Sequence, residues 1–161
     1  MATKYSLDTS AFIDGLERYY PADTFAGLWE AIDKLIEEER FFASAEVWEE
    51  IKRKDENVKK WAEPRKETLF IDTDVAATTE VQAILTAFPR LVMNGGRRNR
   101  ADPFVVAVAR LRGATVVTGE GADGSDSRPK IPYVCKQLKV PCVTFTEFIS
   151  AEQWKFTLIA T

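Results

Sequence analysis

"KYSLDTSAFID", Lys4 to Asp14, runs from a short apolar segment into an aspartate and two hydroxyl residues, then into a helix-like "AFIDGLERYY". A strand that ends in a carboxylate and leads directly into a helix is the joint of an α/β unit. In such a unit the residue just after the strand is held on a rigid edge, where ligands gather.

The same joint recurs along the chain. Strand-length apolar runs stand at "YSL" (5–7), "RFFAS" (40–44), "TLFI" (68–71), "ATVVT" (114–118) and "PCVTF" (141–145). Helix-periodic segments lie between them. "TFAGLWEAIDKLIEEE" (24–39) places Phe25, Leu28, Trp29, Ile32, Leu35 and Ile36 on one stripe, and "AEVWEEIKRK" (45–54) repeats the pattern with Val47, Trp48 and Ile51. Trp29 and Trp48, at helical spacing, read as core residues. "VQAILTAFPRLV" (81–92) reads as a helix ending near Pro89, while "PFVVAVARLR" (103–112) is apolar on nearly every side, as a buried helix would be. Strands alternating with helices predict an α/β fold with a mainly parallel central sheet flanked by helices.

With 161 residues, 45% of them hydrophobic, and neither an internal repeat nor a dividing linker, the expected organisation is one domain over 1–161. The net charge of -3 argues against a generally basic nucleic-acid coat, so any polyanion contact must be local. "MATKYSLD" lacks a basic segment followed by a long apolar run, and no charge-free run reaches membrane-spanning length, which predicts a soluble, cytoplasmic protein with no membrane contact. Cys135 and Cys142, with six residues between them, match neither a C-x-x-C pair nor a zinc framework and read as two reduced, mostly buried thiols.

The chain has 0 histidines. That removes Ser-His-Asp and Cys-His nucleophile systems, histidine acid/base pairs and histidine-containing zinc sites. A hydrolase built from this chain would work with carboxylates and a hard metal.

Acids are available where such a site needs them. Asp8 follows the first strand and Glu120 follows "TVVTG"; Asp102 stands before Pro103 at the start of the buried helix, and Glu46, Glu49 and Glu50 lie on the helix after "RFFAS". Carboxylates brought to one rim repel, and Mg2+ or Mn2+ relieves this while accepting oxygen ligands. Each acid also has an ordinary structural reading. Asp8 with Thr9 and Ser10 fits a helix cap, and Asp102 before Pro103 fits an N-cap followed by an N1 proline. Glu50 fits a solvated partner of Lys54 one turn on, and Glu120 a loop acid in a Gly-rich turn.

Taken in order, "LDTSAFID", "SAEVWEEI" and "NRADPFVVAVARLRGATVVTGE" resemble the PIN domain, a family of metal-dependent ribonucleases that includes many toxins of toxin-antitoxin pairs. The resemblance implies a single PIN-like α/β/α domain with an acidic site at the strand C-terminal ends, acting as an endoribonuclease that hydrolyses RNA phosphodiester bonds. Its four acids fall on Asp8, on Glu50 before Ile51 (with Ser44 ahead of it and Glu46 as the alternative), on Asp102 in "RADP" and on Glu120 in "TGE", where most relatives carry aspartate. These would be catalytic and would hold one or two Mg2+ or Mn2+ ions, with Thr9, Ser10 and Thr118 orienting carboxylates or bound water. Products with 5′-phosphate and 3′-hydroxyl follow, and activity should rise from mildly acidic towards alkaline pH.

"KIPYVCKQLKVPCVTFTEFI" resembles the closing helix and strand of a PIN-like subfamily reading "ADPF" and "VVT-x-E"; Tyr133 stands where that subfamily leads one to expect an acid. Arg97, Arg98 and Arg100 in "NGGRRNR" precede Asp102 and are the expected RNA contacts, with Arg128 and Lys130 as further candidates. Expected partners are a protein antitoxin and a second copy of the chain, met through the charged amphipathic stretches "IDKLIEEER" and "EVWEEIKRKDENVKKWAEPRKE" unless these are plain solvated helices. Two other readings stand beside this one. A PIN fold whose site has decayed would bind RNA or act as a scaffold. A haloacid-dehalogenase-like phosphatase would use Asp8 as nucleophile, but such enzymes carry an acid two residues on, where Ser10 stands.

Overall fold

Tyr5, Ser6 and Leu7 are all buried and form the central strand β1 (Tyr5–Leu7) of a computed structural model that describes residues 2–93, 101–121 and 124–160. Successive strand residues point to opposite faces. The Ser6 hydroxyl donates to the Val105 carbonyl at 2.9 Å on one face, while on the other the Tyr5 ring meets Phe148 edge-on at 4.6 Å. A buried strand with helices on both faces needs apolar residues throughout, and "YSL" supplies them with one satisfied hydroxyl.

Parallel pairing builds the sheet outward from β1. It pairs with β2 (Phe41–Ser44) on one side and β4 (Thr115–Val117) on the other, Tyr5 lying opposite both Phe41 and Thr115. β3 (Phe70–Ile71) and β5 (Cys142–Val143) complete the order β3-β2-β1-β4-β5, with every pairing parallel. All strands therefore end on the same edge, and the chain leaves that edge after β1, β2 and β4 at Asp8, Ser44 and Thr118.

The helices follow in chain order as α1 (Thr9–Ile13), α2 (Ala26–Glu37), α3 (Ala45–Lys54), α4 (Glu56–Ala62), α5 (Lys66–Leu69), α6 (Val75–Ala87), α7 (Arg90–Met93), α8 (Asp102–Arg112), α9 (Ile131–Leu138) and α10 (Phe145–Ala151). α8 packs on β1, β2 and β4 beneath α6, and nearly all of its residues from Asp102 to Ala109 are buried, as its all-round apolarity predicts. Gly113, in the left-handed conformation at φ 63°, ends it. The stripe Leu28, Trp29, Ile32, Leu35 and Ile36 of α2 is likewise buried. Trp48 is half-buried against Phe70 at 5.2 Å. The amphipathic stretches expected to meet a partner thus spend their apolar faces on the core and turn charge outward.

Several boundaries differ from the sequence expectation. "TLFI" is strand only at Phe70–Ile71, because Thr68 and Leu69 close the helical turn α5. "PCVTF" is strand only at Cys142–Val143; Thr144 instead caps α10 in a reciprocal capping box with Glu147. α6 begins at Val75 rather than Val81, since the Asp74 carboxylate accepts from the Ala77 N–H at 2.8 Å. It ends at Ala87, ahead of Pro89. Cys135 is a buried free thiol and Cys142 a half-buried one. Among the described residues no helix is long and apolar enough to cross a membrane.

α1 runs directly into a π-helical turn, Asp14–Tyr19, which brings Gly15 against α10. A Cβ on Gly15 would meet two Phe145 ring atoms at 2.8 and 2.9 Å and Trp29 at 3.1 Å. That ring is hemmed in by Tyr20, Trp29 and Phe148, so it has little room to yield. Overpacking costs about 1–3 kcal/mol, more than the gain of under about 1 kcal/mol from replacing a helical glycine. Gly15→Ala should lower the melting temperature by about 2–8 °C, read by thermal unfolding. Gly27→Ala in α2, where a Cβ meets nothing within 4 Å, should leave it unchanged or raise it. Equal stability of the two variants would contradict the close approach.

Candidate metal centre

Asp8 is the anchor of the site. Its backbone N–H continues the ladder to the Val117 carbonyl at 2.9 Å, which fixes the residue at the end of β1. One carboxylate oxygen accepts from the Thr9 N–H at 2.8 Å; the other accepts from the Ser10 hydroxyl at 2.6 Å and the Thr118 hydroxyl at 2.9 Å. Asp8 therefore does cap α1, and it does so while 3% exposed at the centre of an acidic cluster. Burial raises its carboxyl pKa above the ordinary value, against the opposing pull of these donors.

The hydroxyls also join the loop after β1 to the loop after β4. Ser10 accepts from the Gly119 N–H at 2.9 Å, and Thr118 accepts from the Glu120 N–H at 3.1 Å. Glu120 is turned inward in this way. One of its oxygens accepts from the Ile131 N–H at 2.8 Å at the start of α9, so Glu120 bridges two elements rather than standing as a loose loop acid. Its pKa is raised, first by burial and then by the charge of Asp8.

Asp102 departs from the expected N-cap role. Ala101 already has helical backbone angles and takes the cap position without a side-chain bond, so Asp102 lies inside the first turn of α8. Its carboxylate accepts no hydrogen bond among the described residues and faces the other acids. Burial, with the charges of Asp8, Glu120 and Glu50 added, pushes its pKa from 3.8 up to about 10.

Glu50 is brought in by α3, which starts at the end of β2 with Ser44 accepting from the Glu46 N–H at 3.2 Å. It pairs with Lys54 as its spacing predicts, Nζ to Oε2 at 3.1 Å, but it is 2% exposed rather than solvated. Its other oxygen accepts from the Thr9 hydroxyl at 3.3 Å. Burial raises its pKa, with Lys54 pulling the other way. The alternative, Glu46, stays in the first turn of α3, and Glu49 is engaged at the surface by Lys52 at 2.9 Å.

A cleft of about 80 Å3 joins Asp8, Thr9, Ser10, Glu50, Lys54, Asp102 and Glu120. Asp8, Asp102 and Glu120 each present a carboxylate oxygen within 4.8 Å of the others; Glu50 is outside that trio. Two unit charges at such a distance repel by roughly 3–4 kcal/mol in a partly screened site. Oxygen ligands alone, with Asp102 accepting no hydrogen bond among the described residues, fit a hard divalent ion such as Mg2+ or Mn2+.

Of the other expected residues, Arg97, Arg98 and Arg100 lie outside the described residues. Arg128 is exposed in the turn closed with Ser125, and Lys130 is close enough to lower the Glu120 carboxyl. Tyr133 donates to Asp126 at 2.7 Å. Two residues were passed over as site groups in the sequence. Lys54 lines the cleft, and its position one turn after Glu50 was the available signal. Asp14 lies against Gly119, where a Cβ would collide with its carboxylate, and is paired with Arg18 at 3.3 Å; the π-helical turn that puts it there leaves no mark in the spacing.

Residues 5–156 match the family model described as a domain of unknown function (DUF4411), and the chain belongs to that family. No curated protein matches the sequence significantly. Among solved structures, the chain is similar to one in "Crystal structure of VapBC2 from Rickettsia felis bound to a DNA fragment from their promoter", with a TM-score of 0.51 and 14% identity, covering 88% of this chain and 98% of that one. At this identity the likeness is one of fold, and it supports a PIN-like architecture.

An acid whose pKa is raised by folding binds its proton more tightly in the folded than in the unfolded chain. The folded state therefore loses stability as pH climbs from the unfolded value of 3.8 towards about 10. Metal-free protein should melt lower at pH 8 than at pH 5 on this account. Asp102→Asn, which removes the charge but keeps the shape, should raise the melting temperature of chelated protein by several degrees at pH 8 and much less at pH 5. The same variant should lose the upward shift that millimolar Mn2+ gives the wild type. Differential scanning calorimetry in EDTA and in Mn2+ reads both, and a wild type unmoved by Mn2+ would contradict a metal centre.

Proposed function

We propose that this member of the DUF4411 family is a metal-dependent endoribonuclease hydrolysing RNA phosphodiester bonds, and that it is the toxin of a toxin-antitoxin pair. The observation that carries the reading is the convergence of Asp8, Asp102 and Glu120 to within 4.8 Å, from three separate segments at one edge of a parallel sheet. The PIN resemblance implies four acids, Asp8, Glu50, Asp102 and Glu120, and the trio comprises three of them, with Glu50 outside it.

Asp8, Asp102 and Glu120 would hold one or two Mg2+ or Mn2+ ions, with Glu50 joining through an intervening water. When bound, the ion lowers the pKa of a water for attack on phosphorus and offsets the charge that builds on the phosphate. The chain supplies orientation. Asp8 is clamped by Thr9, Ser10 and Thr118, so its lone pairs point in a fixed direction. Asp102 is mounted on the first turn of the buried helix α8, and Glu120 has one oxygen tied to Ile131, leaving the other for the site. Burial of the trio keeps bulk water from competing for their oxygens. Raised carboxyl pKa values mean that protons compete with the ion, so metal affinity and activity rise as pH rises.

Arg97, Arg98 and Arg100, on the segment leading into Asp102, are the proposed RNA contacts. An antitoxin partner has support in the similarity to a chain of the VapBC2 assembly, and a homodimer and a cytoplasmic location belong to the same proposal.

Cleavage of a mixed cellular RNA pool tests the reading, comparing wild type and Asp8→Asn, each in Mn2+ and in EDTA. Only wild type in Mn2+ should cut, leaving 5′-phosphate and 3′-hydroxyl ends, with the variant slower by about 100-fold or more. Equal cutting by both proteins would remove Asp8 from the site, and an inert wild type would leave the fold as a binding module.

A further inference from the structure

Glu50 and Lys54 form an asymmetric pair. The Glu50 side chain is 3% exposed and the Lys54 side chain 42%, so the acid is inside and the ammonium is at the mouth of the cleft. Both oxygens of Glu50 are already engaged, one by Lys54 at 3.1 Å and one by Thr9 at 3.3 Å. Asp102 has no such donor among the described residues. Glu50 also stands outside the trio whose oxygens come within 4.8 Å of one another, and unlike Asp8, whose donors are neutral, it is tied to a cation, so its direct hold is on Lys54.

Lys54 is also the one cation that lines this cleft among the described residues. Lys52, two residues earlier, is engaged with Glu49 at 2.9 Å and lies over the Trp48 ring. Lys54 ends α3, where the helix dipole favours a cation, and its charge is felt by Asp8, Glu50 and Asp102 alike. An acidic cleft that must admit a phosphodiester needs a positive group that is fixed, solvent-accessible and beside the acids. Among the described residues that line the cleft, Lys54 is the one that meets all three conditions.

We infer that Lys54 binds the phosphate of the RNA strand at the mouth of the cleft, and that Glu50 is a positioning residue that holds the Lys54 ammonium there. The inference rests on the nuclease reading for its substrate, but its test does not need cleavage. A free ammonium on a flexible stem would lose much of its binding in ordering itself; one already anchored by a buried carboxylate loses less.

The probe is a fluorescent 20-nucleotide RNA of mixed sequence with phosphorothioate linkages that resist hydrolysis, titrated with Mn2+-loaded full chain and read by anisotropy. Mn2+ affinity is measured separately by calorimetry. Lys54→Met should weaken RNA binding about tenfold and flatten the salt dependence by about one charge, with Mn2+ affinity within about threefold of wild type. Lys54→Arg should restore RNA binding to within about threefold. Since Lys54→Met leaves Glu50 buried without its partner, the double variant Glu50→Gln/Lys54→Met serves as the folded control and should bind RNA as weakly as Lys54→Met. Glu50→Gln alone should weaken RNA binding, with a smaller loss of Mn2+ affinity than Asp102→Asn causes.

Unchanged RNA binding by Lys54→Met would overturn the inference, as would loss of Mn2+ by Lys54→Met, or by Glu50→Gln to the degree seen in Asp102→Asn. A wild type that does not bind the RNA overturns it too. If wild type binds the probe through Lys54 yet leaves ordinary RNA uncut in Mn2+, the inference stands and the nuclease reading fails.

Discussion

The Asp8 carboxylate is the point on which both the fold and the site depend. It takes hydrogen bonds from the start of α1 and from the loop after β4, two segments far apart in sequence, and it does so at the end of the central strand. A buried carboxylate with fewer donors would tend to protonate or unfold its surroundings. With three donors it is tolerated, and the loops after β1 and β4 are joined as a consequence. Gly119 and Glu120 then have little freedom: one is pressed against Asp14, and the other is turned by Thr118 towards Ile131.

Placement of the remaining acids follows from parallel topology. When all strands run the same way, each strand's exit is on one edge, and every helix that follows begins there with its N–H groups unsatisfied. Acids at those exits serve the helix starts and gather at the same time. Asp8 does both, and Glu120 does both by accepting from Ile131. Asp102 shows the separation of the two tasks, since it is in a helix start and caps nothing. Its burial is offset by no hydrogen-bond donor among the described residues, and with the charges of its acidic neighbours this raises its carboxyl to about 10.

What the sequence made legible was whatever local pattern decides. The five strands, their order along the chain and the buried helix α8 followed from apolar runs and period; Asp8 and Glu120 stood out at strand ends and Asp102 at a helix start, while the choice of Glu50 over Glu46 came from the family resemblance. Boundaries set by capping were less legible. Asp74 and Thr144 each start a helix where apolar pattern alone placed the boundary elsewhere, because one side-chain hydrogen bond outweighs a residue or two of propensity. Lys54 and Asp14 were passed over for a different reason. Their roles depend on which way a helix faces after a strand crossing, and for Asp14 on a π-helical turn that shifts the register of the face. The spacing of Glu50 and Lys54 shows their pairing but not that the pair faces the cleft, and nothing in the spacing marks the turn at Asp14.

The charge balance of the cleft limits how it can work. Among the described residues four acids and one lysine line it, so with every one of these ionised it is well short of neutral. One divalent ion leaves it still negative, and a phosphodiester carrying its own negative charge would be repelled. Two ions would make it slightly positive; one ion with a proton kept on a buried carboxyl would make it neutral. Burial and the neighbouring acids raise the Asp102 carboxyl to about 10, so occupancy of the cleft by ions would be linked to the protonation of Asp102. Lys54 contributes a positive charge carried by the chain itself. A fixed cation at the mouth lets the site bind a phosphate under a wider range of metal occupancy than the carboxylates alone would allow, and Glu50 is the residue that keeps that cation in place.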